Sequence, residues 1–258
     1  MTFDVAAEAY DSFMGRYSSL LSPQLADLAR VRDGQRVIDI GCGPGALTSE
    51  LVRRLGPTNV AAVDPSLSFV EAAAIRNPGV DVRESSAEHL PFEDATFDAA
   101  LAQLVVHFMI DPVAGLSEMA RVTRPGGVVA ASVWDHGGGQ GPLGTFWNAA
   151  RELDPGVNDE SNLAGVREGH LVELFRAAGL NEVTSAVLDA SLEHQTFDEW
   201  WEPFTRGVGP AGAYVGRLDP QQQAELRERC RAMLPHAPFA ITARAWAARG
   251  IASGRIGA

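Results

Sequence analysis

Between residues 36 and about 133, short aliphatic and β-branched runs alternate with stretches whose apolar positions recur at helical spacing. That alternation is the pattern of successive strand-helix-strand units, and hence of a parallel sheet. Residues 36–41 read as a first strand stopped by glycines. In the helix that follows, Leu47, Leu51 and Leu55 fall at i, i+4 and i+8, and Gly56-Pro57 ends it. A second apolar run covers 59–64, and Pro65-Ser66 opens a helix reaching about Arg76. Further strands are expected at 80–83 and 97–103, the latter apolar enough to be buried on both faces. Val113, Leu116 and Ala120 mark another helix, closed by Arg124-Pro-Gly-Gly127, and a fifth strand is expected over 128–134.

The rhythm then breaks. His136-Gly-Gly-Gly-Gln-Gly-Pro142 reads as a flexible loop at the carboxyl end of the fifth strand. Leu171, Leu174, Phe175 and Ala178 define an amphipathic helix with Gly179 as its cap, and 180–192 returns to the sheet. A short inserted helix is expected over 197–205. Asp219-Pro220 supplies a cap and first-turn proline for a helix continued by Leu226, Cys230 and Met233, and 240–247 reads as a last strand. The expected fold is one α/β domain spanning 1–258: a doubly wound, mostly parallel seven-stranded sheet with an α-helical cap.

Composition narrows the chemistry. All 21 basic residues are arginine, so mechanisms that need a side-chain amine are excluded. The net charge of −12 argues against nucleic acid, whose phosphates need concentrated positive charge, and points to small molecules as partners. No apolar run is long enough for a membrane span, and Met1-Thr-Phe-Asp-Val lacks the order of a signal peptide, so a cytoplasmic chain is expected. The two cysteines, Cys42 and Cys230, form no Cys/His cluster, and neither a disulfide nor a zinc site is expected.

The most informative stretch is Val37-Ile-Asp-Ile-Gly-Cys-Gly-Pro-Gly45, a strand entering a glycine turn that begins a helix. Glycines let a ligand approach the main chain without meeting a Cβ. Gly41-x-Gly43-x-x-Ala46 also fits the dinucleotide fingerprint, which keeps an NAD(P)-dependent oxidoreductase open as an alternative. The acids discriminate. Asp39 lies two residues before Gly41, where a pyrophosphate gains nothing from a carboxylate and a cationic ligand does. Asp64, at the end of the second strand, is placed to bind two ribose hydroxyls. The Tyr-x-x-x-Lys pair of many oxidoreductases cannot exist without lysine.

A nucleoside with a positive centre fits these features, and S-adenosylmethionine is the common metabolite of that description. The run 37–134 resembles a class I S-adenosylmethionine-dependent methyltransferase, close to the group of ubiquinone and menaquinone C-methyltransferases and other small-molecule methyltransferases. Val37 to Gly45 matches the first motif and Ala62-Val-Asp-Pro-Ser66 the second. Ser86-Ala-Glu-His-Leu-Pro-Phe92 and Phe97-Asp-Ala match the third and fourth, and Arg121-Val-Thr-Arg-Pro-Gly-Gly127 leads into the fifth strand. The resemblance implies that Gly41, Cys42 and Gly43 lie beneath the methionine portion, with Asp39 near its ammonium group and Asp64 on the ribose. It further implies Pro65 and Ser66 beside the adenine, Ala87 and Glu88 at the ring, and Gln103 at the methionine end. Ser86 departs from the aspartate of many relatives, which leaves the adenine amino group a hydroxyl or a water.

The resemblance also implies that an amino-terminal lid (1–30) covers a cofactor core (31–135), with Tyr10 and Arg16 able to reach the methionine carboxylate, and that residues 136–258 supply the remaining strands and a substrate cap. His107 and His136, both following strand ends, are the candidate general bases, and no metal is expected. Trp134, Trp147, Trp200, Trp201 and Tyr214 are the expected walls of a pocket for a flat or apolar acceptor. Residues 190–258 hold 8 arginines and 7 acids, so the acidity belongs to the remainder of the chain. A protein of this fold that binds the cofactor without transferring methyl is a further alternative. The sequence defines neither the acceptor atom nor the oligomeric state.

Overall fold

The computed structural model describes residues 10–253, so residues 1–9 of the expected lid lie outside the described residues. A π-type turn over Asp11–Gly15 leads directly into α1 (Arg16–Leu28), whose Leu21, Leu25 and Ala26 are buried. The sheet has seven strands: β1 (Val37–Ile40), β2 (Val60–Asp64), β3 (Asp81–Glu84), β4 (Phe97–Gln103), β5 (Thr123–Trp134), β6 (Asn181–His194) and β7 (Phe239–Ile251). Their order is β3-β2-β1-β4-β5-β7-β6, with β7 alone antiparallel to its neighbours. The mostly parallel seven-stranded sheet expected from the sequence is therefore present.

Burial explains the strand patterns. β1 and β2 are buried at every position, as central parallel strands covered on both faces must be. Between them α2 (Ala46–Leu55) buries Leu47, Leu51 and Leu55, and its Glu50 bonds Arg53 and Arg54 across one turn. α3 (Leu67–Arg76) follows β2. α4 (Pro112–Val122) starts where the sequence places a cap: Asp111 Oδ1 accepts from the amides of Val113 and Ala114, with Pro112 at the first helical position.

The structure corrects the start of β5, which begins at Thr123 and not at residue 128. Arg124-Pro-Gly-Gly127 bulges from the ladder, with Gly126 at φ +78°, and stays within the strand because its ends are tied on both sides. Thr123 pairs with Phe97 across a register shift, and the Gly126 amide donates to the Ala252 carbonyl. The glycine loop after β5 is irregular as expected, yet it is held by Asp135, which accepts at Oδ1 from the Gly138 amide and at its carbonyl from those of Gln140 and Gly141.

Two helices without a sequence expectation, α5 (Gly144–Leu153) and α8 (Gly209–Val215), join α7 (Phe197–Trp201) and α9 (Pro220–Met233) in the cap. α6 (His170–Ala177) packs on the sheet through buried Leu171 and Phe175. The cap core is aromatic: Phe146 stacks on Phe204 at 4.5 Å, with Trp200, Trp201 and Tyr214 around them. Among the described residues no helix is long and apolar enough to cross a membrane. Because Phe204 is completely buried, Phe204→Ala removes a packed ring and is expected to cost about 3–5 kcal/mol, read as a lower urea midpoint with an unchanged slope.

Candidate functional site

The strand order reverses between β1 and β4, so the segments leaving their carboxyl ends separate instead of covering each other. A cleft at such a switch point is the usual ligand site of an open α/β sheet. Here it is an open cleft lined by Gly41 and Gly43 after β1, Asp64 and Pro65 at the end of β2, Ser86, Ala87 and Glu88 after β3, and Gln103 to Val105 at the end of β4. Tyr10, Phe69 and the run Phe108 to Ile110 close its sides.

Glycine is required at two points of the turn. Gly41 (φ +67°) packs so closely that a Cβ would overlap the Val105 side chain. Gly43 (φ +52°) has nothing within 4 Å of where its Cβ would be, which leaves bare backbone facing the cleft. Asp64 organises both sides. Its Oδ2 accepts from the Gly43 amide and its Oδ1 from the Ser66 amide, each at 2.9 Å. Burial pushes its carboxyl above the usual range, and those two amides oppose the shift.

Asp39 does not line the cleft. It is buried under the turn, with Oδ2 accepting from the Thr48 hydroxyl at 2.7 Å and Oδ1 without a partner. Desolvation, with Asp64 nearby, pushes its carboxyl up to about 7. Cys42 is likewise off the wall, packed beside Ala62 and Ala73, and burial keeps its thiol protonated. Ser66 caps the approach to α3 from outside the lining.

Gln103 carries a usable orphan. Its Nε2 donates to the Ser18 carbonyl and the Ser22 hydroxyl of α1, leaving the buried Oε1 with no partner at the cleft wall. Glu88 is held by the amides of Ile110 and Asp111, which draws the segment after β4 over the cleft. Tyr10 lines the opening with its ring edge-on to Phe69, and burial raises its hydroxyl to about 12. Arg16 is elsewhere: its guanidinium binds Glu199 at 2.9 Å and the Glu193 carbonyl, so it joins α1 to the cap and does not face the cleft.

A smaller, narrow pocket shares Tyr10, Leu104 and Phe108 with the cleft. Phe13, Met14, Trp134, Leu143 and Val208 add apolar wall, and His107, His136 and Glu160 are its polar members. The histidine rings are 5.9 Å apart, and His136 Nε2 lies 3.8 Å from Glu160 Oε1. Burial depresses His107 well below the usual imidazole range and His136 to about 4, and raises Glu160 to about 7. These directions favour neutral groups, so the His136–Glu160 proximity is not an ion pair.

Of the aromatic residues expected to wall an acceptor pocket, Trp134 is the one that borders this smaller pocket. Trp147, Trp200, Trp201 and Tyr214 fill the cap core instead, because their rings pack on Phe146 and Phe204. Leu104 and Glu160 escaped sequence reasoning. Leu104 holds a left-handed backbone (φ +60°), a strain of about 1 kcal/mol or more that places it between the two cavities. Glu160 lies in a polar stretch, Asn158-Asp-Glu-Ser-Asn162, that looks like solvated loop.

The cleft fits a cationic nucleoside: bare backbone at Gly43, the Asp64 carboxylate and an unpartnered amide oxygen on Gln103 face the same space. Residues 38–131 match the methyltransferase domain family. A malonyl-acyl-carrier-protein O-methyltransferase of Pseudescherichia vulneris is 30% identical over 220 residues, covering 83% of this chain and 80% of that protein. The chain belongs to the S-adenosylmethionine-dependent methyltransferases. This membership sets aside the oxidoreductase alternative and makes S-adenosylmethionine the cofactor of the methyltransferase cleft. The enzyme of the same description from Erwinia billingiae is 35% identical over 130 residues, and the chain spans about half of its length (51%). The fold matches the solved Haemonchus contortus phosphoethanolamine N-methyltransferase 2, in complex with phosphomonomethylethanolamine and S-adenosylhomocysteine, with a TM-score of 0.60. Identity there is 16%, over 96% of this chain and 57% of that one.

The buried Asp39 gives the ligand-free methyltransferase a pH signature. Its raised carboxyl holds a proton that the unfolded chain releases near pH 4, so its stabilising contribution is lost as pH rises through about 7. In Asp39→Asn that loss is absent. The melting temperature of the variant relative to wild type is expected to climb between pH 4 and 8, and parallel melting profiles would refute the assignment.

Proposed function

We propose that this methyltransferase moves the methyl group of S-adenosylmethionine to an O, N or C atom of a small, largely apolar acceptor seated in the pocket beside the cleft. The observation that carries this reading is the shared wall: Tyr10, Leu104 and Phe108 border both cavities, so two ligands can meet there. Bound S-adenosylmethionine supplies an electrophilic methyl on a positively charged sulfur.

The chain's own residues then have distinct tasks. Asp64 chelates the ribose hydroxyls with the lone pairs its amide partners leave free. Gln103 Oε1 accepts from the ammonium group, and Ala87 with Glu88 borders the adenine. Asp39 acts through Thr48 and the turn, as a positioning residue. Apolar walls exclude water, and alignment of two held reactants accounts for much of the acceleration in a displacement of this type. His107 and His136, kept neutral by burial, receive the polar end of the acceptor, and His107 Nδ1, which has no hydrogen-bond partner, is free to take its proton.

The residues 10–28 cover the junction as a lid, fastened by Gln103 to Ser18 and Ser22 and by Arg16 to Glu199. An acceptor entering past Tyr10 and Phe13 would displace the lid's first turn. Whether the chain transfers methyl or only binds the cofactor is decided by incubation with labelled S-adenosylmethionine and a panel of phenols, amines and quinones.

S-adenosylhomocysteine is expected to bind and raise the melting temperature; absence of both heat and shift at millimolar ligand would overturn the reading. Asp64→Ala removes the carboxylate that accepts from the Gly43 amide of the turn and from the Ser66 amide, and is expected to weaken that binding about tenfold or more. His107→Ala is expected to leave the affinity unchanged and to lower kcat by about 10²-fold or more. An unaltered kcat would remove the proton-acceptor role.

A further inference from the structure

The three polar members of the acceptor pocket come from three separate segments. His107 sits in the 3₁₀ turn after β4, His136 in the loop after β5, and Glu160 in the 3₁₀ turn Glu160–Asn162. All three are buried, and one ligand-capable atom from each lies within 4.8 Å of the other two. We propose that His107, His136 and Glu160 form a binding site for one divalent transition-metal ion of the Zn²⁺ or Fe²⁺ type, at the polar end of the acceptor pocket.

Distance and donor chemistry support this. His136 Nε2 and Glu160 Oε1 are 3.8 Å apart, too far for a hydrogen bond. Two ligands each about 2.1 Å from a common tetrahedral ion stand roughly 3.4 Å apart, so a small contraction brings the pair to bonding distance. Two imidazoles with one carboxylate are a donor set suited to Zn²⁺ and Fe²⁺, and three protein ligands leave a position open for another oxygen or nitrogen.

The surroundings are those of a ligand set and not of a solvated cluster. Trp147 Nε1 donates to Glu160 Oε2 at 3.1 Å, which orients the carboxylate and leaves Oε1 toward His136. His107 Nδ1 is buried with no hydrogen-bond partner. Since the trio lines the acceptor pocket, the open position faces the acceptor. An acceptor carrying a hydroxyl, enol or carboxyl oxygen is the class that fills it.

The inference rests on the acceptor-pocket reading above, and it replaces the sequence expectation of a metal-free site. It also makes the imidazoles ligands, with the bound ion, and not His107, lowering the acceptor's affinity for its proton. Equilibrium dialysis of the full chain against Zn²⁺ and Co²⁺, with visible absorption of the Co²⁺ form, tests it. About one ion per chain is expected for wild type, with affinity lowered at least about tenfold in His136→Ala and Glu160→Gln, and also in Trp147→Phe, which removes the orienting bond together with part of the indole's packing in the cap. S-adenosylhomocysteine titration of each variant serves as the folding control. Undetectable Co²⁺ and Zn²⁺ binding, or equal binding by wild type and all variants, would overturn the proposal. If metal is absent while His107→Ala still lowers kcat, the proton-acceptor reading stands and the metal site falls. Failure of wild type to bind S-adenosylhomocysteine would instead strike the proposed function.

Discussion

Two hydrogen bonds to one buried carboxylate hold the working end of this molecule together. Asp64 bonds the Gly43 amide on the β1 side and the Ser66 amide on its own side, so the glycine turn and the entry to α3 keep a fixed separation. The sheet reverses its order beside them, between β1 and β4. The cleft, the neighbouring pocket and the amino-terminal residues that border both are arranged around that fixed edge. An ionised acid in so dry a place is costly, and the two backbone donors are what offset the cost.

The same cost is distributed unevenly through the chain. On the surface, acids meet arginine at short helical spacings, as Glu50 does with Arg53 and Arg54 and Glu118 with Arg121. Inside, Asp39 and Glu160 have a hydroxyl and an indole as partners, and their carboxyls rise to about 7. Poorly compensated acids of this kind cluster where a protein binds or reacts. Here both stand next to the two cavities, one under the glycine turn and the other in the smaller pocket beside the cleft.

The cap spends its aromatic residues on itself. Phe146, Trp147, Trp200, Trp201, Phe204 and Tyr214 interlock, so the pocket is walled by smaller contributions from Phe13, Met14, Leu143 and Val208. A rigid cap core has a function of its own: it anchors α5 and Trp147, and through the indole it orients Glu160. Arg16, bonded to Glu199, ties α1 to that same block.

Period and local chemistry were sufficient for the strands, for the helices between them up to β5, and for the glycine turn with Asp64, because each depends on neighbours within a few residues and on continuous burial. Gly41, Gly43, Pro65, Ala87 and Gln103 were legible for that reason, as motifs at strand ends. The aromatic count in the carboxyl third said only that a large apolar cluster exists; whether a ring faces a cavity or another ring is a matter of how α5, α7 and α8 cross, which no local spacing encodes. Likewise Asp39 could be placed at the turn but not beneath it, and Arg16 could be placed on the lid but not against Glu199. His107, His136 and Glu160 are separated by 29 and 24 positions and belong to three loops, so only the packing of the sheet against the cap brings their donor atoms together. Sequence alone determined the sheet and its cofactor edge, which are built from local bonds and periodic burial. Tertiary structure decided the smaller pocket beside it, where His107, His136 and Glu160 are brought together from distant parts of the chain.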